Sequence, residues 1–249
     1  MTVLGIDIGG SGIKGAPVDI EAGRLLTDRF RIPTPPNATP EAVIDIVDKI
    51  RVYFDWAGPV GCTVPARVEN GLVRTATNIH SDWVNTQIDD LMQQKMGCAV
   101  AIVNDADAAG LASMRFGAGR HTSGVVLFLT IGTGIGSALF MDGVLIPNTE
   151  FGHLMIHGDT IEKYASARTR YLENLSWPEW AGRFQEVLDR VEFLLAPNFI
   201  ILGGGVSRPY KTVEFMPHLN THADLLIETL ENEAGIVGAA VLAGSLDSR

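Results

Sequence analysis

Two glycine-rich turns, each between two apolar β-type segments, lie about half a chain apart in this sequence. The run 3–8 ends in Gly9-Gly10-Ser11-Gly12 and is followed at once by the run 13–19. The runs 125–130 and 137–140 flank Ile131-Gly132-Thr133-Gly134-Ile135-Gly136. Short apolar runs on both sides of a glycine turn predict β-hairpins. Since the two segments align with a single gap, we interpret them as an internal duplication, with coincidence between two glycine-rich hairpins as the alternative.

The duplication predicts an α/β chain of two similar lobes that face each other across a cleft. A length of 249 residues fits one large domain or two modest ones, and no Pro/Ser-rich linker separates the halves. We expect a small lobe at 1–108, closed by a C-terminal helix at 236–249, and a large lobe at 109–235. Ten of the 27 glycines fall in the clusters 9–15, 132–136 and 203–205, which marks these segments as the informative ones.

The charge balance excludes several classes of partner. Lys and Arg total 19 against 29 Asp and Glu, and a net charge of −10 argues against nucleic-acid or membrane-surface binding. Cys62 and Cys98 cannot build a disulfide framework or a structural zinc site, and they favour a reducing compartment. The first residues lack the basic start of a signal peptide, and glycines break the uncharged run 121–141, which predicts two buried strands. We therefore expect a soluble, cytoplasmic protein.

Periodicity and capping signals predict the elements around the turns. Apolar residues at helical spacing over 41–56 follow Thr39-Pro40, and a second helical pattern follows Ser176-Trp177-Pro178-Glu179 up to Pro197. Further helices are expected at 106–114 and 236–246, and strands at 60–64, 99–103 and 199–202.

The chemistry of a glycine turn suits anions. Its backbone N–H groups can approach a bound phosphate closely because no Cβ intervenes, and two such turns could hold successive phosphates. Asp7, just before the first turn, suits a hydrated Mg²⁺ bound through water, whereas no direct metal site is expected. Lys14, just past the turn, offers a point charge to a phosphoryl group. A Walker A loop is missing, and a dinucleotide site is poorly supported because the glycines join two strands.

Asn104-Asp105-Ala106-Asp107 lies where a strand ends and a helix begins. A carboxylate at that point can accept a proton from an attacking hydroxyl, so Asp105 is the candidate base and Asn104 a substrate-orienting amide. The alternative is that Asp105 or Asp107 caps the helix.

Glu150-Phe151-Gly152-His153, followed by Glu162, supplies the acceptors and the donor that sugar hydroxyls need. The alternative for His153 is a packing role. A zinc site at His153 and His157 is not expected, because the pair lacks the Glu of a zincin motif and a nearby cysteine.

Six segments together resemble polyphosphate glucokinases, the short branch of the ROK (repressor, open reading frame, kinase) sugar kinases. They are 5–19, 104–110, 130–137, 150–153, 203–207 and 234–240, and the first is highly specific. The resemblance implies an actin-like, hexokinase-like (ribonuclease H-like) two-lobe α/β fold and phosphoryl transfer to the 6-hydroxyl of glucose. It also implies Mg²⁺ and a homodimer. The cysteine-rich zinc loop of longer ROK proteins is missing after Gly152-His153, as in the polyphosphate branch.

The resemblance also assigns roles to individual residues. Asp105 is the implied catalytic base. The implied sugar ligands are Asn78, Asn104, Asp105, Glu150, His153 and Glu162. The implied phosphoryl-donor site comprises Asp7, Gly9, Gly10, Ser11, Gly12, Lys14, Thr130, Gly132, Thr133, Gly134, Gly204 and Gly205.

The phosphoryl donor stays open between inorganic polyphosphate and ATP. Polyphosphate has no base or ribose, so its site needs only a track of basic groups, for which the candidates are Lys163, Arg168, Arg170, Arg183, Arg208 and Lys211. The alternative is that these are scattered solvated charges. The alternative functions are a strictly ATP-dependent ROK hexokinase for glucose or mannose and a non-catalytic sugar-sensing ROK protein. An actin-like or chaperone-type ATPase would leave the Asn104-Asp105 and Glu150–His153 pairs unexplained.

Overall fold

The structure is a computed structural model that describes residues 1–77, 79–230 and 233–246. The chain divides into two compact units. The first unit comprises Met1–Ala112 and Glu233–Arg249, and the second comprises Ser113–Asn232. Asn78, one of the implied sugar ligands, lies outside the described residues, as do the last three residues of the expected closing helix.

Short strands and helices alternate along the chain. In chain order the strands are β1 (Thr2–Ile8), β2 (Ile13–Asp19), β3 (Arg24–Leu25), β4 (Phe30–Ile32), β5 (Val60–Val64), β6 (Val68–Glu69), β7 (Leu72–Val73), β8 (Val100–Asn104), β9 (Val125–Ile131), β10 (Ile135–Met141), β11 (Val144–Ile146), β12 (Met155–Ile156), β13 (Asp159–Thr160), β14 (Phe199–Gly204) and β15 (Asp224–Ile227). The helices are α1 (Pro40–Tyr53), α2 (Ile88–Met96), α3 (Asp105–Phe116), α4 (Ile161–Ala165), α5 (Ala167–Leu172), α6 (Trp177–Leu195), α7 (Pro209–Phe215) and α8 (Ala234–Gly244).

The main sheets of the two units have the same connectivity. In the first unit the strand order is β3-β2-β1-β5-β8, with β4 beside β2, and in the second it is β11-β10-β9-β14-β15. Each sheet starts from an antiparallel hairpin, β1–β2 or β9–β10, and adds two later strands in parallel beside the first strand of that hairpin. This repeated order is the outcome that an internal duplication predicts.

The core of the first unit includes an unusually close contact between a helix and the sheet. Helix α8 packs on β1 and β5. A Cβ on Gly5 of β1 would overlap the Ile236 carbonyl, and a Cβ on Gly61 of β5 would overlap the Ala239 carbonyl. Glycine at these two strand positions lets the backbone of α8 lie directly on the sheet.

Helix α6 provides much of the apolar core of the second unit. It begins with a capping box, in which the Ser176 and Glu179 side chains each bond the other residue's backbone N–H. Trp180 and Phe184 are fully buried and stack with ring centroids 5.0 Å apart. The indole N–H of Trp180 donates to the Ala165 carbonyl at 2.9 Å, so its one polar atom is satisfied.

Several expectations about secondary structure are confirmed, and others are wrong in detail. Both hairpins, the strand 60–64 and the helix starts after Thr39 and Ser176 are present. The expected helix end at 56 is wrong, because Asp55 adopts a left-handed φ of 48° that stops α1 at Tyr53. Helices α3 and α8 start at Asp105 and Ala234, slightly earlier than expected. The sequence patterns did not predict four helices (α2, α4, α5 and α7) or the shorter strands β3, β4, β6, β7, β11, β12, β13 and β15.

The uncharged run 121–141 contains β9 and most of β10. In the described part of the chain, no helix is long and apolar enough to cross a membrane. Both cysteines are free thiols, and burial raises the pKa of Cys62.

Candidate functional site

The first glycine turn, 9–12, is fixed by hydrogen bonds to its carbonyls. Gly9 N–H donates to the Gly12 carbonyl at 3.2 Å and closes the turn. The Thr34 hydroxyl donates to the Gly9 carbonyl at 2.5 Å, and Arg31 Nη2 donates to the Ser11 carbonyl at 2.6 Å. A Cβ on Gly10 would meet nothing within 4 Å. The turn is therefore held through its carbonyls and leaves open space at Gly10, an arrangement suited to an anion.

Asp7, two residues before the turn, is held by two neighbours. Thr63 Oγ1 donates to Asp7 Oδ1 at 2.7 Å, and Lys14 Nζ lies 3.0 Å from Asp7 Oδ2. Thr63 is fully buried and also accepts the Ile8 N–H at 3.2 Å. The Lys14 and Asp7 side chains are 23 % and 19 % exposed, so the ion pair stays accessible to a ligand. The structure thus joins the predicted Mg²⁺-binding carboxylate and the predicted phosphate-binding cation.

Asn104 caps helix α3. Its Oδ1 accepts the N–H groups of Ala106 at 2.8 Å and Asp107 at 3.1 Å, so the alternative of an Asp105 or Asp107 cap is wrong. Asn104 Nδ2 donates to the Ala66 carbonyl at 3.1 Å, which ties the cap to the segment after β5. Asn104 is buried, whereas Asp105 beside it is exposed and accepts the Ala106 N–H at 2.9 Å. The candidate base therefore stands at the surface on a firmly held helix start.

The second glycine turn, 132–134, closes through the Gly132 N–H, which donates to the Gly134 carbonyl at 2.9 Å. The N–H of Arg168, at the start of α5, donates to the Gly132 carbonyl at 3.1 Å. A Cβ on Gly134 would lie 2.5 Å from Oε2 of Glu162. The turn thus lies against Glu162, and Thr133 at its tip is exposed.

The segment 150–153 forms a single 3₁₀ turn in which Glu150 and His153 face each other, with 3.5 Å between Oε2 and Nδ1. Both side chains are more than one-third exposed, at 37 % and 46 %. The buried Ser137 hydroxyl accepts the Phe151 N–H at 3.0 Å and donates to the Thr149 carbonyl at 2.8 Å. Ser137 therefore fixes the turn that presents the two predicted sugar ligands.

The third glycine cluster, 203–205, ends β14 next to β9. Gly203 pairs with Thr130 and Gly204 with Ile131. Gly204 has a φ of 79°, a conformation that favours glycine, and a Cβ there would lie 2.8 Å from the backbone of Ile131. Lys211 Nζ donates to the Gly205 carbonyl at 2.6 Å. The donor residues expected at the ends of β9 and β14 are therefore neighbours.

Four of the six residues of the expected basic track have partners within the second unit. Lys163 pairs with Asp159 at 3.2 Å, and Arg183 with Glu173 at 2.6 Å. The Arg170 guanidinium lies 3.7 Å from the centroid of Trp177, and Lys211 binds Gly205 as described. Arg168 and Arg208 are exposed. The structure does not single out these six residues as a track, which stays a prediction.

A further polar cluster lies between α4 and α6. The Tyr164 hydroxyl donates to Glu186 at 2.8 Å, and the His157 ring lies 2.5 Å from the same carboxylate. The hydrogen bonds from His157 and Tyr164 lower the pKa of Glu186, while burial raises the pKa of Tyr164. His157 thus bonds a carboxylate on α6.

A sequence model of the ROK family matches residues 3–168, two-thirds of the chain. The chain belongs to the ROK family. This ROK protein is also 44 % identical over 239 residues to a polyphosphate glucokinase of Mycobacterium tuberculosis strain CDC 1551, an alignment that covers 96 % of this chain and 89 % of that protein.

Two solved structures are similar over nearly the whole ROK chain. The inorganic polyphosphate/ATP-glucomannokinase from Arthrobacter sp. strain KM has a TM-score of 0.92 and 44 % identity, with 98 % of this chain and 99 % of that chain covered. A ROK family glucokinase from Streptomyces griseus, in complex with glucose and AMPPNP, has a TM-score of 0.84 and 26 % identity, with 98 % and 100 % covered. The predicted actin-like, hexokinase-like α/β fold is confirmed.

Four residues that shape the first glycine turn, the strand before it and the 3₁₀ segment were missed in the sequence: Arg31, Thr34, Thr63 and Ser137. Thr63 and Ser137 lie inside strands that were predicted, and an inward-facing hydroxyl in a buried strand is the signal that could have found them. Arg31 lies on β4, which was not foreseen.

Proposed function

We propose that this ROK protein is a polyphosphate glucokinase, which transfers a phosphoryl group from inorganic polyphosphate, and from ATP, to the 6-hydroxyl of glucose. The observation that carries the proposal is the exposed Asp105 carboxylate on a helix start fixed by the buried Asn104. The 44 % identity to a polyphosphate glucokinase over 96 % of the chain supports the choice of substrates.

Asp105 acts as the general base. Its carboxylate accepts the proton of the glucose 6-hydroxyl as that oxygen attacks the terminal phosphorus of the donor, and the bond from phosphorus to the bridging oxygen breaks. The shortened donor leaves with that oxygen, and glucose 6-phosphate forms. Positioning and charge neutralisation supply most of the catalysis in phosphoryl transfer, so the firmly held start of α3 matters as much as the base itself.

Glucose is bound by Asn104, Asp105, Glu150, His153 and Glu162, with Asn78 as a further proposed ligand. The paired Glu150 and His153 offer an acceptor and a donor 3.5 Å apart, which suits adjacent sugar hydroxyls. Glu162 is held where the glycine at position 134 leaves room for its carboxylate.

The donor is bound by the backbone N–H groups of both glycine turns, and by Asp7 and Lys14 on the first unit. Ser11, Thr130, Thr133, Gly204 and Gly205 complete the proposed set. Lys14 neutralises charge on the phosphoryl group, and its ion pair with Asp7 keeps its ammonium group at the mouth of the turn.

Mg²⁺ is the proposed cofactor. Within the described residues, no group of three or more His, Cys, Asp or Glu could hold a metal ion. Mg²⁺ in kinases keeps several waters and binds one or two carboxylates plus substrate phosphates, so the single Asp7 carboxylate fits that chemistry. When bound, Mg²⁺ neutralises charge on the donor phosphates, and Thr63 orients the carboxylate that would hold it.

Three further properties complete the proposal. They are a cytoplasmic location, a homodimer, and two lobes with the limits 1–108 with 236–249 and 109–235. Two compact units whose limits differ from these by three or four residues support the lobes. The location rests on the low cysteine content of the chain, and the homodimer on the family resemblance. Light scattering coupled to size-exclusion chromatography gives the mass directly, and a monomer of 26.8 kDa would remove the dimer from the proposal.

Steady-state kinetics with polyphosphate and ATP, each with glucose and with mannose, test the proposed activity. We expect glucose 6-phosphate from both donors. A strictly ATP-dependent ROK hexokinase is the second candidate, because the Streptomyces griseus ROK structure contains AMPPNP. Activity with ATP but none with polyphosphate would select that candidate, and no sugar phosphorylation with either donor would overturn both.

A further inference from the structure

One face of the first unit's sheet carries a row of three charges at the glycine turn. Asp7 of β1 lies directly opposite Lys14 of β2, and Lys14 lies directly opposite Arg31 of β4. Residues directly opposite each other in antiparallel strands project to the same face. The row therefore consists of a carboxylate, an ammonium group and a guanidinium group, and its net charge is +1.

The two cations of this row are neighbours, which is unfavourable without a compensating anion. Like charges directly opposite on adjacent strands destabilise a sheet. Lys14 pairs with Asp7 at 3.0 Å, whereas Arg31 is held by a neutral partner, the Ser11 carbonyl. The second positive charge is thus anchored to the turn itself.

Arg31 and the turn are matched in shape. A Cβ on Gly12 would overlap the Arg31 guanidinium, so the glycine makes room for this group. A guanidinium carries five N–H donors in a planar fork and binds phosphate through two of them at once. Arg31 is exposed while its fork lies against the turn, which places it where an anion on the turn would meet it.

The order of strands sets the distance from the base. Asn104 ends β8, Asp105 follows it, and the strands towards Arg31 are β5, β1, β2 and β4. Four steps of about 4.8 Å separate β8 from β4 by roughly 20 Å. A general base works within about 3 Å of the hydroxyl whose proton it accepts. Arg31 lies one strand further from Asp105 than Lys14 does, and therefore meets phosphates further along the donor than the one that Lys14 meets.

We propose that Arg31 is a donor-specificity residue that binds the inner phosphates of polyphosphate. This inference rests on the proposed function. ATP has only two phosphates beyond the transferred one and then continues into a neutral nucleoside, whereas polyphosphate continues as a polyanion. Arg31 therefore favours long polyphosphate over ATP.

The test compares Arg31→Gln with wild type on long-chain polyphosphate and on ATP. We expect KM for long polyphosphate to rise about tenfold, the scale of one lost charge-assisted hydrogen-bonding group. KM for ATP should rise less than KM for long polyphosphate, because with ATP the variant loses only the hydrogen bond from Arg31 to the Ser11 carbonyl, and kcat should be nearly unchanged with both donors. Arg31→Lys keeps the charge and should recover part of the loss.

Arg24→Gln is the matched control, because it removes the same charge from β3 of the same sheet, opposite Asp19. It should leave both KM values unchanged. Equal rises in KM for ATP and polyphosphate in Arg31→Gln would mean that Arg31 only supports the turn, and no change in either would remove it from the site. Both outcomes overturn the inference.

Direct binding separates this inference from the proposed function. Calorimetric titration of wild type and Arg31→Gln with long polyphosphate, without glucose, should show about tenfold weaker binding by the variant. If wild type binds polyphosphate without transferring it, the proposed function fails, and the two Kd values still decide the role of Arg31. If wild type binds no polyphosphate, both fail.

Discussion

Thr63 donates a 2.7 Å hydrogen bond to Asp7 across two parallel strands, and the same hydroxyl accepts the N–H of Ile8. One buried oxygen thus fixes both the carboxylate and the backbone that leads into the first glycine turn. A hydroxyl is well suited to this position because it donates and accepts at once.

Replacing Thr63 with Val removes both hydrogen bonds without a large change in volume. Two polar groups lose their partner, at a cost of about 1–3 kcal/mol each where they are buried. We expect KM for the phosphoryl donor to rise about tenfold while KM for glucose changes little. Thr63→Ser should restore donor binding, and Thr27→Val, on the surface, is the control. An equal loss for glucose and donor would contradict a role confined to Asp7 and the turn.

Asp105→Asn tests the base. The amide cannot take the proton of the 6-hydroxyl, so kcat should fall by about 10²–10⁴-fold, while glucose affinity stays within a few-fold. The measurement is kcat with saturating donor, together with glucose binding by calorimetry. Asp90→Asn, an exposed Asp in the first turn of α2, is the matched control and should keep full activity. Normal turnover in Asp105→Asn would remove Asp105 from the mechanism.

Gly61→Ala tests the close contact of α8 with β5. The added Cβ would overlap the Ala239 carbonyl, so the free energy of unfolding should fall by about 3 kcal/mol, the upper range for overpacking. Gly182→Ala, on α6, meets nothing within 4 Å and should raise the same quantity by about 0.5–1 kcal/mol. Urea unfolding measures both. Equal stability of the two variants would mean that the sheet and α8 can separate without cost.

The start of α6 predicts a dependence of stability on pH. Hydrogen bonds from the Ser176 side chain and its N–H lower the pKa of Glu179. A lowered pKa in the folded state means that ionised Glu179 stabilises the protein at neutral pH and that this contribution is lost as the pH falls through the folded value. The melting temperature of Glu179→Ala should therefore lie below that of wild type at pH 7, and the difference should shrink on acidification. Glu214→Ala, exposed on α7, should not reproduce this trend.

Local pattern was enough to predict the hairpins, the capped starts of α1 and α6 and the family. Each hairpin and helix start depends on residues close in the chain, such as the glycines of a turn or a Ser followed by a Glu, and the family resemblance rests on six such segments together. The hydroxyl of Thr63 in a buried strand marks it as a candidate, but its pairing with Asp7 could not be predicted, because Asp7 is 56 residues away and the register of β1 against β5 brings the two together. The position of Arg31 beside the turn could not be predicted for a related reason. Strand β4 has only three residues, and so short a strand has too weak a sequence pattern to be identified.

The contact of α8 with β1 and β5 also constrains the order in which the chain can fold during its synthesis on the ribosome. The first unit needs residues from both sides of the second, so its sheet emerges early and stays uncovered at Gly5 and Gly61 while the whole of the second unit is translated. Domains generally fold as units during synthesis, and exposed apolar sheet faces favour aggregation in the meantime. The second unit, continuous in sequence, can therefore fold first, whereas the sheet that carries the first glycine turn gains its contact with α8 only after residues 234–244 have been translated.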